Sequence, residues 1–387
     1  MLNSYWRLSQ FYFFYFASLG LLVPFWSLYL DSLDFSSAEI GQLVATLALS
    51  KIVAPYLWGW VADHSGYHIR IVQLTSLLAA LFFLPLLWVQ SYWLIMLFML
   101  LFSFFWNAAL PQFEAVTLQQ LGSDTARYSR IRLWGSLGFI ATVSLLGILF
   151  EIVPIGWLPS VLLAVFVLIW LSSLPVRERR QKPTAAQHIG TALGTRGVIA
   201  LLVVCFLMQA SHGPYYTFYS LFMEGLGYSR SSIGLFWSLG VLAEIVLFLF
   251  MYRLLQLRGA SFWLSLALVL TALRWILMGL YSDVLWMVLL TQCLHAASFG
   301  LYHAAAIHLI HEFFARHRGR GQALYSSVSF GLGGVVGSLY AGSLWDQVPP
   351  ATTFFIAAAI AAAGALVSLR VGAHPALNAR RAPLDQR

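Results

Sequence analysis

The sequence predicts an all-α integral membrane protein with twelve transmembrane helices in two pseudo-symmetric six-helix bundles. Three observations predict it. First, 60% of the 387 residues are hydrophobic and 9% charged, with a mean hydropathy of +0.80. A soluble domain carries roughly 25% charged residues, so most of this chain cannot face water. Second, apolar runs fall near 8–30, 40–62, 70–90, 92–118, 133–152, 157–175, 198–222, 232–254, 262–281, 284–308, 322–345 and 351–370, each about the length of one span. Third, the first half moved along by 193 residues falls in register on the second. No room is left for an extramembrane domain.

The first run lacks a small-residue cleavage site and is longer than a signal-peptide core, so it reads as helix 1. The loop after helix 2 reads Gly59-Trp60-Val61-Ala62-Asp63-His64-Ser65-Gly66, then Arg70. Its glycines suit a tight turn. Its Asp63 can cap a helix end or pair with a cation, so Gly59, Asp63, Gly66 and Arg70 are gating candidates. Helices 4 and 5 carry Glu114 and Arg132, equidistant from the turn near Ser123. Antiparallel geometry brings them to one depth, as a gate pair or as substrate contacts.

The polar stretch from Pro175 to Arg196 divides the chain six helices to six. The expected domains are 1–175, a linker 176–197, a second bundle 198–372 and a basic tail 373–387. Across the repeat, Ala17-Ser18-Leu19-Gly20 meets Ala210-Ser211-His212-Gly213, Asp31 meets Glu224, Ile40-Gly41 meets Ile233-Gly234, and Lys51 meets Glu244. A parallel repeat of this kind suits a transporter whose site lies near the midplane between halves.

With both termini cytoplasmic, Arg70, Arg127, Arg130, Arg177, Arg179, Arg180, Lys182, Arg196, Arg253, Arg258, Arg316, Arg318, Arg320, Arg380 and Arg381 fall inside. The outer loops then hold Asp31, Asp34, Glu39, Glu151, Glu224, Asp283 and Asp346, with Arg230 as their cation. That asymmetry is the positive-inside pattern. Nucleic-acid binding would need a soluble basic surface, which this composition excludes.

An ionisable group at a helix centre costs roughly 2.5–3.5 kcal/mol to insert. Lys51, Glu114, Arg132, Glu244 and Arg274 are such groups, with His212, His295 and His303 beside them. Counting depth at about 1.5 Å per residue, Lys51, Glu244, Arg274 and His295 all reach the midplane, the last three as a layer on helices 8, 9 and 10. The alternative is a structural ion pair, although hydrophobic residues would build the same packing without the insertion cost. Three cations stand against two carboxylates. Buried charges need partners, so an anionic substrate group would complete the balance.

Trp26, Tyr29, Tyr215, Tyr216, Tyr219, Trp237 and Trp275 crowd the same helices. Each alone reads as packing, but together they suit a flat ligand, with Tyr215 and Trp237 as binding candidates. Helices 5 and 11 carry Gly135, Gly138, Gly331, Gly333, Gly334 and Gly337, as close helix approach requires. Cys205 and Cys293 give no disulfide or metal pattern. His308 and His311 have chelating spacing but sit at a helix end among arginines, so no metal is expected. No nucleophile motif, catalytic carboxylate pair or cofactor motif argues for an enzyme.

The stretch Tyr128-Ser129-Arg130-Ile131-Arg132-Leu133-Trp134-Gly135-Ser136, with Leu235 to Glu244, Arg274-Trp275, and Leu294-His295 to His303, resembles one branch of the major facilitator superfamily. That branch holds lactose permease and the phenylpropionate transporters. The resemblance implies that Glu114 and Arg132 contact substrate, and that Glu244, Arg274 and His295 serve substrate binding and proton coupling. Where the permease has a proton-releasing Glu, this chain has Ser298; where it stacks a Trp on galactose, this chain has Phe139. The second departure argues against a galactoside. The implied protein is a monomeric proton symporter of the bacterial inner membrane, importing a small aromatic carboxylate without a cofactor. Arg274 and Lys51 would hold the carboxylate with Arg132 in reserve, Glu244 would carry the proton, and His295 or His303 would relay it. A neutral sugar or nucleoside symporter is the alternative reading.

Overall fold

The structure, a computed structural model, describes residues 2–122, 124–178, 195–315 and 318–372. Among these are twelve helices long and apolar enough to cross a bilayer: helix 1 (Ser4–Asp31), helix 2 (Ser37–Ser65), helix 3 (His68–Leu87), helix 4 (Tyr92–Leu121), helix 5 (Arg127–Ile152), helix 6 (Ile155–Ser173), helix 7 (Arg196–Gly225), helix 8 (Arg230–Leu257), helix 9 (Ala260–Tyr281), helix 10 (Leu285–Phe313), helix 11 (Gly319–Trp345) and helix 12 (Pro350–Val371). The described residues contain no strand. In hydrocarbon each backbone N–H and C=O must be satisfied within its own segment, which selects helices for runs this apolar. Large side chains such as Leu145, Leu249 and Leu366 point outward, as a lipid-facing surface requires. Trp88, Trp93 and Trp286 stand exposed at span ends, where amphipathic rings favour a membrane–water boundary.

Local sequence sets several ends. Ser36 and Glu39 form a reciprocal capping box at helix 2. Asp124 accepts from the Arg127 N–H at helix 5, and Ser229 from the Ser232 N–H at helix 8. Gly66 ends helix 2 in the left-handed region at φ 75°.

Three spans expected to be continuous are interrupted. Helix 7 breaks at His212, between Arg196–Ser211 and Gly213–Gly225, where Pro214 lacks an N–H. Helix 10 widens into a π segment at Ala296–Leu301, and helix 11 at Ser327–Gly333. Such insertions gather at functional sites. Apolar periodicity does not register them, because the residues stay apolar while the hydrogen-bond ladder shifts.

Within the first half, helix 1 packs on helices 5 and 6, and helix 3 on helix 4; in the second, helix 7 packs on helices 11 and 12, and helix 9 on helix 12. The halves meet through helices 1 and 7, 2 and 11, and 5 and 8. Those seams are tightest at the end of the bundle opposite the termini. There a Cβ on Gly41 would fall 2.8 Å from the Gly342 Cα, and one on Gly234 would fall 2.5 Å from the Val143 carbonyl. Ser144 and Ser238 share a hydrogen bond of 2.7 Å across the seam.

Helix 7 begins at Arg196. The linker cations Arg179, Arg180 and Lys182, with Arg316 and the 373–387 tail carrying Arg380 and Arg381, lie outside the described residues.

Candidate functional site

Two constellations of intramembrane charge face the centre from opposite halves. In the second half, helices 8, 9 and 10 bring Glu244, Arg274 and His295 into a chain. Arg274 is fully buried. Its Nε donates to the Thr291 carbonyl at 2.7 Å, and its Nη1 donates to Ser298 Oγ at 2.8 Å and to His295 Nδ1 at 3.0 Å. A guanidinium can only donate, so Nδ1 accepts and the imidazole proton sits on Nε2. That Nε2 lies 2.8 Å from Glu244 Oε1. The order is Arg, then neutral His, then Glu. The expected layer is present, with one correction: Glu244 pairs with His295 rather than directly with Arg274, so the imidazole stands between the charges. The guanidinium also lies 4.3 Å from the Tyr215 ring centroid and 4.5 Å from that of Trp275, two cation–π contacts.

Ser298, the position where the resemblance expects a carboxylate, supplies Arg274 with a neutral acceptor. Among the described residues each hydrogen-bond partner of Arg274 is therefore uncharged, and its Nη2 has none.

From His295 a ring ladder follows the face of helix 10. His295 stacks on Phe299 (5.6 Å between centroids, 13° between planes) and Phe299 on His303 (6.0 Å, 5°). The ladder ends where His303 Nδ1 meets the Tyr325 hydroxyl at 2.9 Å. Its register is the i, i+4 spacing of one helix face, carried through the π segment.

The first-half constellation is looser. Arg132 Nε lies 3.6 Å from Glu114 Oε1, with a third and a quarter of the two side chains exposed. The Arg132 guanidinium rests 4.1 Å from the Phe16 ring and 5.5 Å from that of Tyr12, on helix 1.

Lys51 stands apart. It is partly exposed on helix 2 and makes no hydrogen bond or ion pair among the described residues. Arg274 bonds to Thr291, Ser298 and His295 and Lys51 bonds to none of these, so the two expected anion-holding cations stand in separate surroundings. Next to Lys51, the Ile52 carbonyl accepts from Ser327 at 3.2 Å, at the start of the helix 11 π segment.

Tyr215 and Trp237 are corrected from lining residues to core residues. Tyr215 is buried and donates to Gln292 Oε1 at 2.8 Å; Trp237 is buried and donates to Ser220 Oγ at 3.1 Å. Tyr216 keeps free surface, partly exposed, over His212 and Trp237. Phe139 is buried, its backbone pressed to Gly20 on helix 1. His212 is buried at the helix 7 break, its Nδ1 2.8 Å from the Met208 carbonyl.

The loop motif resolves unevenly. Gly66 makes the turn. Gly59 does not, since it lies inside helix 2 beside Gln112 of helix 4. Asp63 lies 3.8 Å from His68 Nε2, and Arg70 stacks at 4.3 Å on Tyr67, so neither holds the other. Glu178, just after helix 6, caps helix 3 by accepting the Ile69 N–H at 2.8 Å. His308 lies 3.6 Å from Glu312, and the described residues hold no metal-type cluster.

Twelve apolar spans with ionisable side chains buried among them are the features of a polytopic membrane transporter. The chain belongs to the MFS_1 like family, whose model matches residues 5–356. It is a multi-pass membrane transporter of the major facilitator type and not an enzyme. The chain is 29% identical over 357 residues to the probable 3-phenylpropionic acid transporter of Escherichia coli (strain K12), covering 87% of this chain and 90% of that one. It is 28% identical over 351 residues to maltose permease of Geobacillus stearothermophilus, covering 87% and 86%. Among solved structures, the nucleoside transporter NupG superposes with TM-score 0.82 at 18% identity, over 96% of this chain and 100% of that one. The POT family transporter PepTSo superposes with TM-score 0.77 at 13% identity, over 96% and 97%; these two likenesses concern the fold.

Proposed function

We propose that the protein is a proton symporter of a bacterial inner membrane, termini on the cytoplasmic side, importing a small aromatic carboxylate such as 3-phenylpropionate. The observation that carries this reading is unbalanced charge. Glu114 already faces Arg132 and Glu244 bonds to a neutral His295, while among the described residues Lys51 has no partner and Arg274 bonds only to neutral groups. Desolvated cations are costly without a counter-charge, and an anionic ligand supplies one. The phenylpropionate transporter among its relatives supports the same chemical class.

Arg132 and Lys51 are the accessible cations, so the carboxylate meets them first, with Arg274 behind the Glu244–His295 pair. Tyr216, with Phe299 and Phe330, offers the apolar faces for an aromatic body. Coupling follows from charge. Arg132 and Glu244 carry opposite charges on the two halves and attract each other across the cavity. An anion bound to Arg132 cancels that influence, so substrate binding and proton uptake on Glu244 favour each other. His295, or the ladder to His303, would relay the proton. No resident cofactor is needed, since the proton gradient supplies the energy, and one copy of the chain holds every group invoked.

The competing reading is a neutral-sugar symporter, favoured by the maltose permease relative at nearly equal identity. Thermal-shift screening of purified protein against aromatic acids, sugars and nucleosides separates them. Stabilisation by 3-phenylpropionate and not by maltose supports the proposal; the reverse overturns it.

A further inference from the structure

The end of the bundle opposite the termini is fastened by a device that occurs twice. At the helix 2–helix 11 seam, Asp346 Oδ1 accepts from the Ser37 hydroxyl at 2.7 Å and Oδ2 from the Ser37 N–H at 3.3 Å. At the helix 5–helix 8 seam, Glu151 Oε1 accepts from the Ser231 N–H at 2.9 Å. Each acid closes a helix in one half and caps the first turn of a helix in the other half. Each also sits four residues beyond a glycine at the same crossing: Gly342 before Asp346, and Gly147 before Glu151. Those glycines face a second matched pair. A Cβ on Gly342 would meet the Ser37 carbonyl at 2.7 Å and the Gly41 Cα at 2.8 Å. A Cβ on Gly147 would meet the Arg230 carbonyl at 2.7 Å, and Gly234 lies opposite. Gly41 and Gly234 are repeat equivalents in the ungapped register.

We infer that Asp346 and Glu151 are gate residues: each is a carboxylate latch onto the opposite half's helix N-terminus, and the two together hold this face closed. The glycines permit backbone-to-backbone approach, and the acids convert that approach into a charge-assisted bond with a helix end. Opening this face requires both acids to leave their helix ends. The pairs are chemically alike on the two sides of the pseudo-twofold, so neither half alone controls the gate. This inference is independent of which substrate is carried.

The test uses purified full-length protein with Cys293→Ser; Cys205 is fully buried. Val143→Cys places a reporter thiol at a fully buried site beside Gly234, and its reaction with a charged methanethiosulfonate measures opening. Asp346→Ala should speed that reaction about tenfold, the order of a lost helix cap. The reporter lies on the other seam, so local fraying does not explain such a gain. Ser37→Pro should do the same. It removes both donors, yet Pro is favoured at the first helical position, and Ser36 at φ −61°, ψ 154° already has the backbone a following Pro requires. Asp346→Ala combined with Ser37→Pro should be no faster than either alone, whereas Asp346→Ala combined with Glu151→Ala should exceed both. Glu39→Ala removes a cap on the same face within one half, and should leave the rate unchanged. The inference is overturned if Asp346→Ala and Ser37→Pro leave the rate at its starting value, or if Glu39→Ala raises it equally.

Discussion

The two central charge constellations differ in how firmly they are held. In the second half, Arg274 is fully buried with three hydrogen bonds, and His295 and Glu244 are nearly buried behind it. In the first half, Glu114 and Arg132 stand 3.6 Å apart and partly exposed, and Lys51 has no hydrogen bond or ion pair among the described residues. A buried chain with fixed donors has little freedom to exchange partners, but it can pass or hold a proton at its open end. A loose pair in reach of water can give up one partner for another. The difference assigns proton work to the second half and anion exchange to the first, as proposed above.

The largest effect expected from breaking this division is at Arg274. Arg274→Leu strands the Thr291 carbonyl, the Ser298 hydroxyl and His295 Nδ1 together. It should cost about 1–3 kcal/mol of stability for each group left unsatisfied, read as a fall in Tm, along with transport. Arg132→Met, in contrast, should leave Tm nearly unchanged while weakening 3-phenylpropionate about tenfold or more, since a bond to a charged group is lost. Glu114→Gln should act in the opposite sense, holding or tightening the ligand by freeing Arg132. Titration calorimetry on the two variants checks the pair, and equal losses would remove Arg132 from substrate binding. Lys51→Met should weaken the anion about fivefold more than its neutral amide analogue; equal losses would remove Lys51 from the charge argument. Smallest is a contrast in the loop after helix 2. Gly66→Ala should cost about 1 kcal/mol for its left-handed backbone, whereas Gly59→Ala meets only Gln112 Nε2 at 3.5 Å and should be neutral in a thermal melt.

The fold was legible because its signal is long: twelve apolar runs, one polar interruption and a repeat that keeps register from Ala17 to Lys51. Depth counting also brought Glu114 to Arg132 and Glu244 to the level of His295, since rise per residue is fixed in a helix. Order within a level was not legible. Nothing in the sequence puts the imidazole between Arg274 and Glu244, because that depends on helix rotation and on the π segment beginning at Ala296. The same limit misplaced Tyr215 and Trp237, where helix numbering alone does not separate a core face from a cavity face. Tyr216, one residue along, carries the exposed ring. The ladder of His295, Phe299 and His303 was available as an i, i+4 pattern; its end at Tyr325 required the fold.

The central claim is that Glu244 takes up the transported proton when the anion binds. The most direct measurement is proton uptake by purified protein in weak buffer on adding 3-phenylpropionate, followed with a pH indicator, for the native chain and Glu244→Gln. The account predicts uptake of about one proton per ligand in the native protein and none in Glu244→Gln, which should still bind the ligand and exchange it across proteoliposome membranes. Undiminished proton uptake by Glu244→Gln would contradict it.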